Sequence, residues 1–159
     1  MDRITVLIGV HNAHYRGMLV QVLAQQADMQ VVGEAVGGPE AGRLAAARQP
    51  DVLLLDVGRP LAAGLEVLRR LRKKSPRTKV LLLAEDPGDA LGAEALAAGA
   101  KGFLPRRATH DEILTATRLV SSGGIWAPPS ILAEAVKHLV EQMNPEGHSL
   151  PDGREPLTR

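Results

Sequence analysis

The chain contains no cysteine and only three aromatic residues, Tyr15, Phe103 and Trp126. The first absence excludes disulfide frameworks, thiolate zinc sites and cysteine nucleophiles. The second argues against a base-stacking RNA-binding sheet and an aromatic-lined sugar groove. An excess of either charge is also lacking. Nineteen Lys and Arg face eighteen Asp and Glu, a formal net charge of +1, so the chain is neither a polybasic nucleic-acid clamp nor an acidic tail. No apolar run approaches the ~18 residues that span a bilayer. The segment from Met1 to Val10 is too short and too interrupted for a signal peptide. A soluble cytoplasmic protein without membrane contact is the default reading. What is present is ordinary: 159 residues, 45% hydrophobic and 23% charged, enough for one domain with a real core and a short appendage.

Two kinds of segment alternate. Short apolar runs at Ile4–Val10, Gln30–Glu34, Val52–Leu55, Val80–Ala84 and Gly102–Leu104 read as strands buried on both faces. Longer stretches between them carry helical spacing. Met18, Leu19, Val22 and Leu23 form the first stripe, within a helix over about 13–26. Pro39–Arg48 forms the second helix, with Pro39 suited to a first turn. Leu61, Leu65, Leu68 and Leu71 mark the third; an Ala- and Gly-rich fourth runs over Asp89–Ala98 and ends at Gly99. The fifth begins at an N-cap, Thr109, and carries Ile113, Thr117 and Val120 to about residue 122. Five strand–helix pairs predict an α/β, flavodoxin-like, doubly wound parallel sheet of order 2-1-3-4-5, with chemistry at the carboxyl ends of the strands. Beyond Gly123-Gly124, the residues Ile131, Leu132, Ala135, Val136, Leu139, Val140 and Met143 make a sixth, amphipathic helix within 123–143. It packs on its own domain or pairs with another chain. Residues 144–159 hold three prolines and two glycines and read as a flexible linker.

The run Gln49-Pro-Asp-Val-Leu-Leu-Leu-Asp56, followed by Arg59-Pro60 and Gly64-Leu-Glu-Val-Leu-Arg-Arg-Leu71, resembles the third strand and helix of a bacterial response-regulator receiver domain. Val31-Val-Gly-Glu-Ala35 and Gly99-Ala-Lys-Gly-Phe-Leu104 resemble its second and fifth strands, in the form typical of the NarL/LuxR (FixJ) subfamily. The resemblance covers about residues 3–122, which assigns 1–122 to a receiver. It implies a following helix-turn-helix domain, whose opening phrase the tail Pro156-Leu-Thr-Arg159 resembles. It also implies a role in transcription regulation and phosphorelay, with DNA bound only through that further domain. A homodimer through the first and fifth helices, or through the linker helix, is the implied assembly. Whether a histidine kinase is a partner stays open.

In the resembled family an aspartate accepts a phosphoryl group with the help of magnesium, two further carboxylates, a hydroxyl and a lysine. Asp56 matches the acceptor. The acidic pair falls on Val10 and His11, or on His11 and Asn12, and no carboxylate stands on either register. The hydroxyl position falls on Ala84 and the lysine position on Arg106, behind Pro105. The switch aromatic falls on Phe103, which has no hydroxyl. One monodentate carboxylate leaves magnesium nearly fully hydrated, so binding is expected to be weak or absent, with no resident cofactor. The expectation is an atypical receiver that does not use conventional phosphorylation, and no enzyme. Asp56 then either pairs with Arg106 as structure or holds a small ligand together with Arg106 and His11. The alternative function is a sensor of a metabolite in this less polar cleft.

Other features weigh less. His11 and His14 have ligand-like spacing but lack a third partner. Arg69, Arg70, Arg72, Lys73, Lys74, Arg77 and Lys79 cluster at the end of the third helix, where cations favour the dipole, against the reading of DNA contact. Glycines 37, 38, 123 and 124 read as turns, not as a nucleotide loop. The fourth helix has few large anchors, which suits either a repositionable element or plain alanine-rich composition.

Overall fold

The five apolar runs pair side by side into a single parallel sheet. In the computed structural model, which describes residues 2–58, 61–85 and 89–143, the strands are β1 (Ile4–Gly9), β2 (Met29–Ala35), β3 (Val52–Asp56), β4 (Lys79–Ala84) and β5 (Gly102–Pro105). Their order is β2-β1-β3-β4-β5, parallel throughout, as expected. The helices are α1 (Ala13–Ala24), α2 (Gly38–Arg48), α3 (Leu61–Lys74), α4 (Asp89–Ala97), α5 (His110–Ser121) and α6 (Pro129–Met143).

The period-2 alternation of strands divides the core into two layers. Val6, Ile8 and Leu54 face one side with Leu19 and Leu23 of α1 and Ile113 and Val120 of α5. Leu7, Leu53, Leu82 and Phe103 face the other, with Ala45 of α2, Leu68 of α3 and Ala95 of α4. Each fully buried leucine contributes roughly 1.5–3 kcal/mol. Close approach on the second side demands small residues: a Cβ added at Gly9 lies 2.9 Å from the Ala41 Cβ. Among the helix ends, Thr109 and Glu112 form a complete capping box at α5. Gly99 follows α4 with φ +118°, a left-handed conformation that favours glycine.

Several boundaries differ from the sequence reading. β1 ends at Gly9 rather than Val10, although the Val10 N–H still donates to the Ala35 carbonyl at 3.0 Å. α1 ends at Ala24, two residues short of the expected 26. The α6 stripe is also narrower. Ile131 and Ala135 are buried, whereas Leu132, Val136, Leu139, Val140 and Met143 are exposed. Ile131 reaches α4 because α4 is built of small residues: a Cβ at Gly92 meets the Ile131 side chain at 2.6 Å. Trp126 ties down the approach to α6. Its carbonyl accepts from the Phe103 N–H at 2.8 Å and its N–H donates to the Lys101 carbonyl at 3.0 Å, which pairs it with the free edge of β5. The side chain of Leu61, assigned to the α3 stripe, and residues 144–159, assigned to a linker, lie outside the described residues.

Candidate functional site

Parallel strands direct their carboxyl ends to one edge, and the crossover helices begin there. β3 closes on Asp56, β4 on Ala84, and Arg106 follows β5 directly. The Arg106 N–H donates to the Ala84 carbonyl at 3.1 Å, which places its guanidinium over β3. Nη2 and Nε donate to the same Asp56 oxygen, Oδ1, at 2.7 and 3.1 Å. The Asp56 side chain is 7% exposed and that of Arg106 37%. Glu85, on the outside, lies 3.9 Å from Nη1. The hydrogen bonds to Asp56 raise the Arg106 pKa above its ordinary value, against the opposing effect of burial. Asp56 and Arg106 are therefore hydrogen-bonded to each other, the arrangement of the first of the two alternatives.

The end of β1 is arranged differently. Val10 is completely buried, with its side chain in the layer beneath α1 and α5. His11 is exposed; among the described residues its side chain makes no hydrogen bond or ion pair with Asp56 or Arg106. Arg16 of α1 reaches back to donate to the Val10 and His11 carbonyls at 2.8 and 3.3 Å. Asn12 caps α1 by accepting from the Tyr15 N–H at 2.8 Å. Ala84 presents a methyl group, 7% exposed, and Phe103 is 2% exposed in the layer shared with α4. Among the described residues, no group of three or more His, Asp and Glu comes together as a metal site.

Tyr15 is the residue that the sequence reading passed over. Its hydroxyl is buried and has no hydrogen-bond partner among the described residues. Burial pushes the phenol pKa above 10.0, the Asp56 carboxylate acts in the same direction, and the Arg106 guanidinium opposes them. Tyr15 thus feels both charges of the pair. No sequence signal marked it: Tyr15 lies in the first turn of α1, and its nearness to the pair follows from how α1 packs at the strand ends.

A parallel sheet of this order, with an aspartate closing its middle strand and a cation reaching that aspartate from the fifth, defines a flavodoxin-like α/β domain whose chemistry sits at the strand ends. Residues 7–118 match the response regulator receiver domain, and the chain belongs to that family. It is 34% identical over 116 residues to the transcriptional regulatory protein LnrK of Bacillus subtilis, covering 73% of this chain and 53% of that one. It is 36% identical over 142 residues to UhpA of Salmonella typhimurium, covering 89% and 69%. The chain therefore spans about half the length of some curated relatives. Among solved structures, the receiver domain of the response regulator NarL from Mycobacterium tuberculosis superimposes with a TM-score of 0.72 at 33% identity, over 77% of this chain and 99% of that one. No helix among the described residues is long and apolar enough to cross a membrane.

Proposed function

We propose that this chain is an atypical receiver of a transcriptional regulator. Residues 1–122 form the receiver, 123–143 the linker helix, and 144–159 lead toward a DNA-binding domain. In this reading Asp56 is held by Arg106 and does not act through magnesium-dependent phosphorylation. The carrying observation is the double hydrogen bond from Arg106 to Asp56 Oδ1, in a site where Val10 is core and His11 faces solvent. Magnesium prefers several hard oxygen ligands, and these residues do not fit it. A guanidinium supplies one positive charge at a fixed place and no coordination sites. Ala84 has no hydroxyl for a phosphoryl oxygen, and Phe103 has none with which to report a switch.

Dimerisation is the output we assign to the domain, through α6 rather than α1 and α5. Leu132, Val136, Leu139 and Met143 are exposed, and their spacing of four, three and four residues is that of a two-helix seam. On α5, by contrast, Leu119 is the one large apolar side chain among the exposed described residues. A ligand held among Asp56, Arg106 and His11 has less support, because the first two engage each other and His11 joins neither.

Sedimentation velocity with and without acetyl phosphate and magnesium tests this function. The expected result is a concentration-dependent dimer that the phosphodonor leaves unchanged. Association that requires the phosphodonor and vanishes in Asp56→Asn contradicts it.

A further inference from the structure

The helices α2 and α3 do not close completely over the sheet. Between them lies a cavity of about 540 Å³, within the size range of small-molecule sites. Leu55 of β3 forms its floor, Gly42 and Ala46 form one wall, and Val67 and Leu71 form the other. The space has a cause in the sequence. α2 reads Gly-Pro-Glu-Ala-Gly-Arg-Leu-Ala-Ala-Ala-Arg, and a Cβ built at Gly42 has no neighbour within 4 Å.

The lining is apolar inside and cationic at the rim. Arg43, Arg70 and Lys74 line the cavity and are exposed. Arg70 is shared with Glu66 at 3.4 Å. Neither Arg43 nor Lys74 has an ion-pair partner among the described residues. The two acids in the lining are already matched, Asp56 by Arg106 at 2.7 Å and Glu66 by Arg69 and Arg70. The uncompensated charge at the mouth is thus positive, while the floor wants hydrocarbon.

We propose that the groove between α2 and α3 is a binding site for an organic acid with an apolar body and one carboxylate or sulfonate. The body lies on Leu55, Val67 and Leu71, and the anionic head meets Arg43 and Lys74. Asp56 also lines the groove, but the anionic head is placed on Arg43 and Lys74 and not on the Asp56–Arg106 pair. The inference goes beyond the phosphorylation-free reading and does not depend on it.

The test uses the whole chain and two probes, anilinonaphthalene sulfonate read by fluorescence and decanoate as its competitor. Saturable one-site binding displaced by decanoate is expected. Gly42→Leu fills the empty wall with a better helix former, so Tm holds or rises while affinity falls by about tenfold or more. Arg43→Gln with Lys74→Gln weakens binding about fivefold and flattens its salt dependence, from two exposed charge contacts. Absence of saturable binding to the native chain overturns the proposal. So does unchanged affinity in Gly42→Leu. If that variant loses its Tm, unchanged affinity in the Arg43/Lys74 variant overturns it instead. Neither phosphorylation nor oligomeric state enters these readouts, so failure here is distinct from failure of the proposed function.

Discussion

Two arginine–aspartate pairs in this domain have nearly the same closest distance and very different surroundings. Arg106 approaches Asp56 at 2.7 Å, and Arg118 approaches Asp28 at 2.8 Å. Arg118 grips both oxygens of its carboxylate, Nε to Oδ2 and Nη2 to Oδ1. Arg106 places both donors on one oxygen. By hydrogen-bond geometry alone the Asp28 pair is the better one. Yet the Asp28 side chain is 46% exposed and that of Asp56 7%. Water replaces Arg118 readily and replaces Arg106 poorly. The importance of such a pair lies in what its loss strands, not in its length.

The largest expected effect follows from stranding the buried carboxylate. Arg106→Gln destabilises the fold by about 2 kcal/mol in urea melts, below the 3–5 kcal/mol of a fully buried pair because Arg106 itself reaches solvent. Asp56→Asn costs less, about 1 kcal/mol, since it removes the buried charge together with its partner's bond. Arg118→Gln costs about 0.5 kcal/mol and the loss shrinks in high salt. Equal costs for Arg106→Gln and Arg118→Gln break the comparison.

The pairs also differ in pH dependence. The Arg118 hydrogen bonds hold the Asp28 carboxyl below its ordinary 3.8, against a smaller opposing effect of burial. Its contribution is therefore present above about pH 4 and is lost as pH falls through the lower folded value. Asp28→Asn is expected to flatten the acid limb of a stability profile in that window. Around Asp56 the reporter is alkaline. Tyr15 is the single tyrosine, so ultraviolet titration reads it alone. Its midpoint is expected above 10.0; because the folded value is raised, the associated stability is present below pH 10 and is lost as pH rises through that value. Asp56→Asn lowers the midpoint and Arg106→Gln raises it. A midpoint indifferent to both places Tyr15 outside the field of the pair.

The fold was legible because its signals are local. Buried strands such as Val52–Leu55 are continuous apolar runs, and Thr109 with Glu112 marks the start of α5. The Asp56–Arg106 pair was legible through the resemblance, which set one residue opposite the other. Tyr15 was not, because its importance depends on where α1 lies against the strand ends, and no spacing encodes that. The splitting of the α6 stripe was hidden for the same reason. Seven apolar residues at helical spacing do not say that Ile131 meets Gly92 of α4, or which two are buried and which five are exposed. The open groove beside α2 is an absence of side-chain volume between two elements, and a linear pattern does not record it.

The central claim is that Asp56 is occupied by a protein cation rather than poised for phosphoryl transfer. Incubation of the chain with acetyl phosphate and magnesium, followed by intact mass measurement, tests it most directly. The account predicts one unmodified mass. A single-phosphoryl adduct that disappears in Asp56→Asn contradicts it.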